Sequence, residues 1–429
     1  MESLLDGVAV NTTYRYRAGR VLDLVRKLTG RRPDRVLEDV AGDLFYIFYL
    51  PLPRVRRDYE PSNERDLARL ALVAETLSSP RTWKIKAMTV ADAQISMVAA
   101  GLYISILARQ RGGGESLRPL SSPSSGKGGR RSGKVERALN ELSNAMKNVS
   151  ALKSIVARVG AGTSSSLMFE DSLDIVMELS RRTDVSEIER ILSRIEVSRV
   201  SSKRTTRYTR GWVGGLELGG DIERLHISQL ALPEEVFYAQ LANSRMLLYH
   251  KELSAEEGPL YVLLDKSGSM SGEKINWARA VALALLIKAR SAGRDYYVRF
   301  FDSIVYELKT VTRRVRPRDL MELIKYLATV KATGGTNITN AIAKAVEDIE
   351  SGPSRGPSDI VLITDGEDKL STYILRGLLQ SPRDIRLHTV MIKGDNPTLM
   401  NVSDTYMSVA RLGEEEALKL IVNIYRAKG

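Results

Sequence analysis

Leu260-Tyr261-Val262-Leu263-Leu264 runs straight into Asp265-Lys266-Ser267-Gly268-Ser269-Met270. An unbroken apolar run of that length reads as a strand buried on both faces of a parallel sheet. The polar cluster then falls where the strand ends and the chain loops towards a helix. Open α/β sheets bind their ligands at that edge. The cluster offers one carboxylate and two hydroxyls, from Asp265, Ser267 and Ser269. These are hard oxygen donors, suited to magnesium or manganese rather than to zinc or copper.

Loops from other strand ends must complete such a site. Thr333-Gly334-Gly335-Thr336-Asn337 precedes the helical pattern Ile338, Ile342, Val346, Ile349, and Asp365-Gly366 closes a second apolar strand, Ile360-Val361-Leu362-Ile363. The candidate metal ligands are therefore Asp265, Ser267, Ser269, Thr336 and Asp365. Any one of these clusters alone is more often a turn or a helix N-cap. Three in order, each at the same kind of place, favour the metal reading.

The pattern Asp-x-Ser-x-Ser, a distant Thr in a glycine loop and then Thr-Asp-Gly resembles the metal-ion-dependent adhesion site of von Willebrand factor A (VWA) domains. The resemblance implies that Ser267, Ser269 and Thr336 touch a Mg2+ or Mn2+ ion, with Asp265 and Asp365 acting directly or through water. Hydroxyls carry no charge, so an ion held mainly by them stays electron-poor and invites a partner's carboxylate. Lys266 departs from the pattern, which commonly has a small or hydroxyl residue there. A solvated lysine beside the ion is expected to weaken its binding or to meet an anionic partner.

With 429 residues and 43% hydrophobic content the chain has material for two cores. It has no cysteine, which excludes disulfides and thiolate metal sites, and its three histidines, His226, His250 and His388, are too scattered for a zinc cluster. The N-terminal residues lack a signal-peptide pattern, and the most apolar windows, 87–107 and 278–287, fall short of a membrane span. A cytoplasmic protein is the expectation. Net charge is +12, of which residues 256–429 account for only +3. The excess concentrates in segments 109–137 and 199–210.

The fold class expected is α/β, with a C-terminal doubly wound, Rossmann-like VWA sheet domain over 256–429 and a mainly α-helical N-terminal domain over 1–218. Periodicity predicts helices over 14–28, 33–48, 64–77, 90–108, 134–159, 170–179 and 185–195. Residues 111–133, rich in Gly, Ser, Pro and Arg, read as a disordered basic loop. Residues 219–255 read as a connecting and docking region with a helix over 234–250. From 258 onward the order is strand, helix, strand, hairpin strand at 304–308, two helices, strand, helix, strand, short strand and helix. Gly128 to Lys134 has phosphate-loop spacing, but Val135 replaces the magnesium-binding hydroxyl and no apolar strand precedes it, so no ATP hydrolysis is expected.

The Pro233 helix, the Leu247-Leu248-Tyr249 run, the Asp265 to Met270 motif and Trp277-Ala278-Arg279-Ala280 before a long apolar helix together resemble the CoxE/ViaA-like VWA proteins. That resemblance implies a non-enzymatic adaptor, companion of a MoxR-type AAA+ ATPase, in remodelling or metal-cofactor maturation of a client complex. An RNA-binding, Ro-like VWA protein is the alternative, gripping phosphates with segments 109–137 and 199–210. A magnesium-dependent hydrolase is a third, with Glu367 and Asp368 the nearby candidates for a base.

Overall fold

Leu260–Asp265 (β3) and Ser358–Thr364 (β6) are buried along their whole length, which is why they read as continuous apolar runs and why they occupy the middle of a sheet. Tyr296–Phe301 (β4), Ile385–Ile392 (β7) and Thr405–Val409 (β8) extend the parallel array, and Lys309–Val311 (β5) adds an antiparallel edge. The strand order β5-β4-β3-β6-β7-β8 is that of a doubly wound sheet. Its direction of winding reverses between β3 and β6. A crevice at the carboxyl ends of these two strands is where such folds bind ligands.

The computed structural model describes residues 2–111, 128–159, 171–182, 184–195, 207–252, 258–312, 316–353, 356–366, 368, 370–380 and 383–426. Contacts divide the chain into two compact units. One comprises Met1–Arg194 with Arg279–Leu283 and Arg314–Val330, and the other Ile195–Ala278, Ala284–Arg313 and Lys331–Gly429.

In the second unit, one sheet face packs Tyr261, Leu263, Ile360, Leu362 and Leu387 against Ile338, Ile342 and Ile349 of the helix Ile338–Ser351. The alternate set Val262, Leu264, Val361 and Ile363 is equally buried, as the period of two requires. The helix Glu273–Ser291 contributes Trp277, fully buried, whose indole N–H donates to the Gly413 carbonyl at 3.0 Å. The hairpin strand lies at 309–311 rather than 304–308. Residues 302–304 form a tight bend in which Asp302 N–H donates to Ile304 O, leaving only a single bridge from Phe301 to Val305. A short helix, Pro397–Val402, was not signalled by periodicity; Asn396 caps it and Pro397 starts it.

Ahead of this sheet, Arg207–Gly219 (β1) and Met246–Glu252 (β2) form an antiparallel pair. The helix expected over 234–250 therefore stops at Ala242. Ser244 takes a left-handed φ of 52°, which turns the chain out of the helix before the apolar Met246-Leu247-Leu248 can continue it.

The first unit is built on Thr12–Thr29 (α1), Arg35–Asp39 (α2), Ala41–Tyr49 (α3), Glu64–Ser78 (α4), Pro80–Thr89 (α5), Ala93–Arg111 (α6), Gly128–Val159 (α7), Leu173–Leu179 (α8) and Asp184–Arg194 (α9). The single helix expected over 33–48 breaks at Val40. Residues 128–133 belong to α7, not to a loop, and the remaining basic residues 112–127 and 199–206 lie outside the described residues. Among the described residues no helix is long and apolar enough to cross a membrane.

Lys86 of α5 is only 2% exposed. Its ammonium donates to the Pro51 carbonyl at 3.0 Å and lies 4.6 Å from the Trp83 ring centroid. Burial depresses its pKa from 10.5 to about 8. Between those two values the unfolded chain binds a proton that the folded chain has released, so stability rises with pH in that window. Chemical denaturation at pH 7.5 to 10, as a rough span of that titration, is expected to show this rise in the wild type and a smaller one in Lys86→Met.

Candidate metal centre

Asp265 is the last residue of β3 and is fully buried. Its Oδ1 accepts the Ser267 N–H at 2.8 Å and its Oδ2 accepts the Thr364 hydroxyl at 2.5 Å. The first bond curls the chain into the turn that presents Ser267 and Ser269. The second links β3 to the end of β6. Burial pushes the Asp265 carboxyl pKa up, while the bonds from Thr364 and Ser267 hold it down; burial prevails.

From there the donors form a chain. Ser269 donates to Asp365 Oδ1 at 2.9 Å, so the 3.1 Å contact between the two serine hydroxyls uses the Ser267 proton. Asp365 follows Thr364, whose hydroxyl also accepts the Gly366 N–H at 3.0 Å. Gly366 has φ +83°, and a Cβ there would fall 1.9 Å from the Met391 methyl, so the turn after Asp365 requires glycine.

Thr336 lies on the loop between the helix Pro317–Thr329 and the helix that begins at Ile338. That loop is tied to the Asp265 turn by Gly268 N–H to Gly334 O at 3.0 Å and Thr333 N–H to Lys266 O at 2.6 Å. Gly334 has φ +98°, and a Cβ would meet the Asp302 carboxylate at 2.7 Å. Four of the five candidate ligands are thus joined by hydrogen bonds. Thr336, half-buried, stands on the adjoining loop without a direct bond to them.

The donor set fits a hard divalent ion. Octahedral magnesium holds oxygens at about 2.1 Å, which sets neighbouring ligands about 3.0 Å apart. Ser267 Oγ to Ser269 Oγ and Ser269 Oγ to Asp365 Oδ1, at 3.1 and 2.9 Å, have that spacing. A positive group already stands at the cluster, for Lys274 Nζ lies 2.9 Å from Asp365 Oδ2. Its ammonium supplies part of the charge that a metal ion would bring.

Lys266 does not behave as the solvated neighbour expected from the sequence. It is 5% exposed and turns away from Asp365, with its ammonium 2.8 Å from Asp302 Oδ2 and 4.3 Å from the Tyr306 ring centroid. It also donates to Thr333 Oγ1 at 3.3 Å. Burial alone would lower the Lys266 pKa, but the bonds to Asp302 and Tyr306 raise it overall. Burial likewise acts to raise that of Asp302, and the donors Lys266, Ile304 N–H and Tyr306 OH more than offset it. The two charges hold the Asp265 turn, the Asp302 bend and the Thr333 loop in one arrangement.

Sequence reading missed Thr364, Asp302 and Lys274 as members of this site. Thr364 is the first residue of the quoted Thr-Asp-Gly, and Asp302 follows an apolar strand just as Asp265 and Asp365 do. Asp368 caps the helix at Ile338, whose N–H it accepts at 2.8 Å; Glu367 lies outside the described residues.

An uncharacterised protein of Methanocaldococcus jannaschii is 26% identical over 277 residues, covering 62% of this chain and 62% of that protein. A second uncharacterised protein of the same organism is 25% identical over 405 residues, 92% of this chain and 94% of its own length. A von Willebrand factor type A structure from Catenulispora acidiphila aligns at 18% identity with TM-score 0.33, over 38% of this chain and 42% of that one. The family model of the von Willebrand factor type A domain matches residues 260–367. That stretch opens on the first residue of β3 and closes just past Asp365, so the part of the chain that matches a von Willebrand factor type A domain contains the winding reversal and every candidate ligand.

Proposed function

We propose that this chain is a non-enzymatic adaptor whose VWA domain binds a partner's carboxylate through a divalent ion, Mg2+ or Mn2+, held by Asp265, Ser267, Ser269, Thr336 and Asp365. VWA domains commonly mediate protein interactions, and the proposal gives that general role a chemistry here. The observation that carries it is the hydrogen-bonded series Asp265, Ser267, Ser269, Asp365, which gathers oxygens from two strand ends in one place. When bound, the ion supplies a Lewis-acidic position for an anionic ligand. The protein's share is to orient the donors. Asp265 is fixed by Thr364 and fixes Ser267 in turn, while the three hydroxyls add no charge that would satisfy the ion.

A hydrolytic role needs a base aimed at a water. Asp368 is engaged as a helix cap, and the Asp365 oxygens are engaged by Ser269 and Lys274. The adaptor reading makes no such demand. The partner we propose is a MoxR-type AAA+ ATPase, on the resemblance of the segments around Pro233, Asp265 and Trp277 to CoxE/ViaA-like proteins.

The test is co-purification from the native organism. The tagged wild type is expected to retain such an ATPase in magnesium buffer and to release it in EDTA, and Ser267→Ala is expected to lose it. Equal recovery with wild type, Ser267→Ala and EDTA-treated protein would rule out a metal bridge.

A further inference from the structure

Lys274 is the second residue of the helix Glu273–Ser291, which is an unfavourable place for a cation. The first turn of a helix carries the positive end of its dipole and favours acidic side chains. Glu273 satisfies that preference and Lys274 opposes it. What Lys274 gains there is Asp365, whose Oδ2 it meets at 2.9 Å with only 24% of its side chain exposed. The other oxygen, Oδ1, takes the Ser269 hydroxyl. Both acceptor atoms of Asp365 are therefore engaged by the chain itself.

Like charges at such a site cannot share one carboxylate without penalty. A divalent ion drawn to Asp365 meets a fixed ammonium already in contact with it, and in a partly buried environment that repulsion is screened less than at an open surface. Lys266, the other lysine of the motif, does not exert this effect in the same way, because Asp302 neutralises it at 2.8 Å.

Resting on the metal-site reading above, we propose that Lys274 is a built-in competitor of the divalent ion. It holds Asp365 in the metal-free state and must swing out before the site can load. Lys274 lowers intrinsic metal affinity, and an incoming carboxylate, by adding negative charge beside the ion, offsets the repulsion. Ion and acidic partner then bind more tightly together than either does alone, which is positive coupling between two ligands of one site.

The experiment is Mn2+ titration of the full chain, with free Mn2+ read by electron paramagnetic resonance, on wild type, Lys274→Met and Lys344→Met. Lys344 is a partly exposed lysine of the helix Ile338–Ser351, paired with Glu347 at 2.7 Å, and controls for net charge. Lys274→Met is expected to bind Mn2+ about ten-fold more tightly than wild type, because the charge it removes is partly exposed and so partly screened. Lys344→Met is expected to match wild type. Wild type and Lys274→Met binding equally well would overturn the competitor role while leaving the metal site standing. Equal tightening in Lys344→Met would overturn it too, since the effect would then be bulk charge. If no protein binds Mn2+ while circular dichroism shows each one folded, the metal site itself is wrong and the competitor role falls with it.

Discussion

Asp302→Ala is expected to lower the unfolding free energy by about 3–5 kcal/mol, because it leaves the Lys266 ammonium buried without its counter-charge. Both residues are only 5% exposed, and their 2.8 Å contact is the shortest that Lys266 makes. The remaining acceptors of Lys266, Thr333 O at 3.4 Å and Oγ1 at 3.3 Å, are neutral and long. Asp302 also accepts from Tyr306 OH and Ile304 N–H, so the substitution unties the bend as well. The double variant Lys266→Met with Asp302→Ala removes both charges and should recover a large part of the loss, as buried pairs replaced by apolar groups commonly do. Urea denaturation of the two single variants and the double variant measures this directly. A loss below about 1 kcal/mol for Asp302→Ala would mean that the pair behaves as a surface one.

Asp265→Asn is expected to leave the fold intact and to weaken divalent-ion binding by about a hundred-fold, since ligand charge is what sets affinity at an oxygen site. The amide keeps the shape of the carboxyl group and can still accept the Ser267 N–H. Burial already disfavours the charged form of Asp265, so a neutral side chain is tolerated without a partner of opposite sign. Stability and metal affinity should therefore separate in this variant. A thermal melt in EDTA alongside calorimetric titration with Mg2+ and Mn2+ reads both. Loss of folding would show that Asp265 is structural, and unchanged affinity would remove it from the ligand set.

The cluster at the end of β3 was legible because it is local. Asp265, Ser267 and Ser269 fall within one turn, and an apolar strand announces where that turn must lie. The sheet was legible for the same reason: β3 and β6 are buried on both faces and have no polar residue in their middles. What escaped depends on side chains that choose between neighbours distant in sequence. Lys266 sits in the motif, yet its burial follows from the Asp302 bend, which no pattern near residue 266 reveals. Lys274 reads as an ordinary helix residue until the end of β6 brings Asp365 to it. The β1 strand was hidden by its glycines, and β2 by an apolar run that continues the helical pattern. Asn243, the left-handed Ser244 and Arg245 are all that separate that strand from the helix before it. The helix Pro80–Thr89 had its signal in plain view, as Ser79 caps it and Pro80 opens it.

The most direct measurement is a crystal of the chain grown in Mn2+ and examined by anomalous scattering. A single peak bounded by the Ser267, Ser269 and Thr336 hydroxyls and facing Asp265 and Asp365, with Lys274 turned away from Asp365, is the predicted result. No peak at that position in the presence of saturating Mn2+, with Lys274 still on Asp365, would contradict the account.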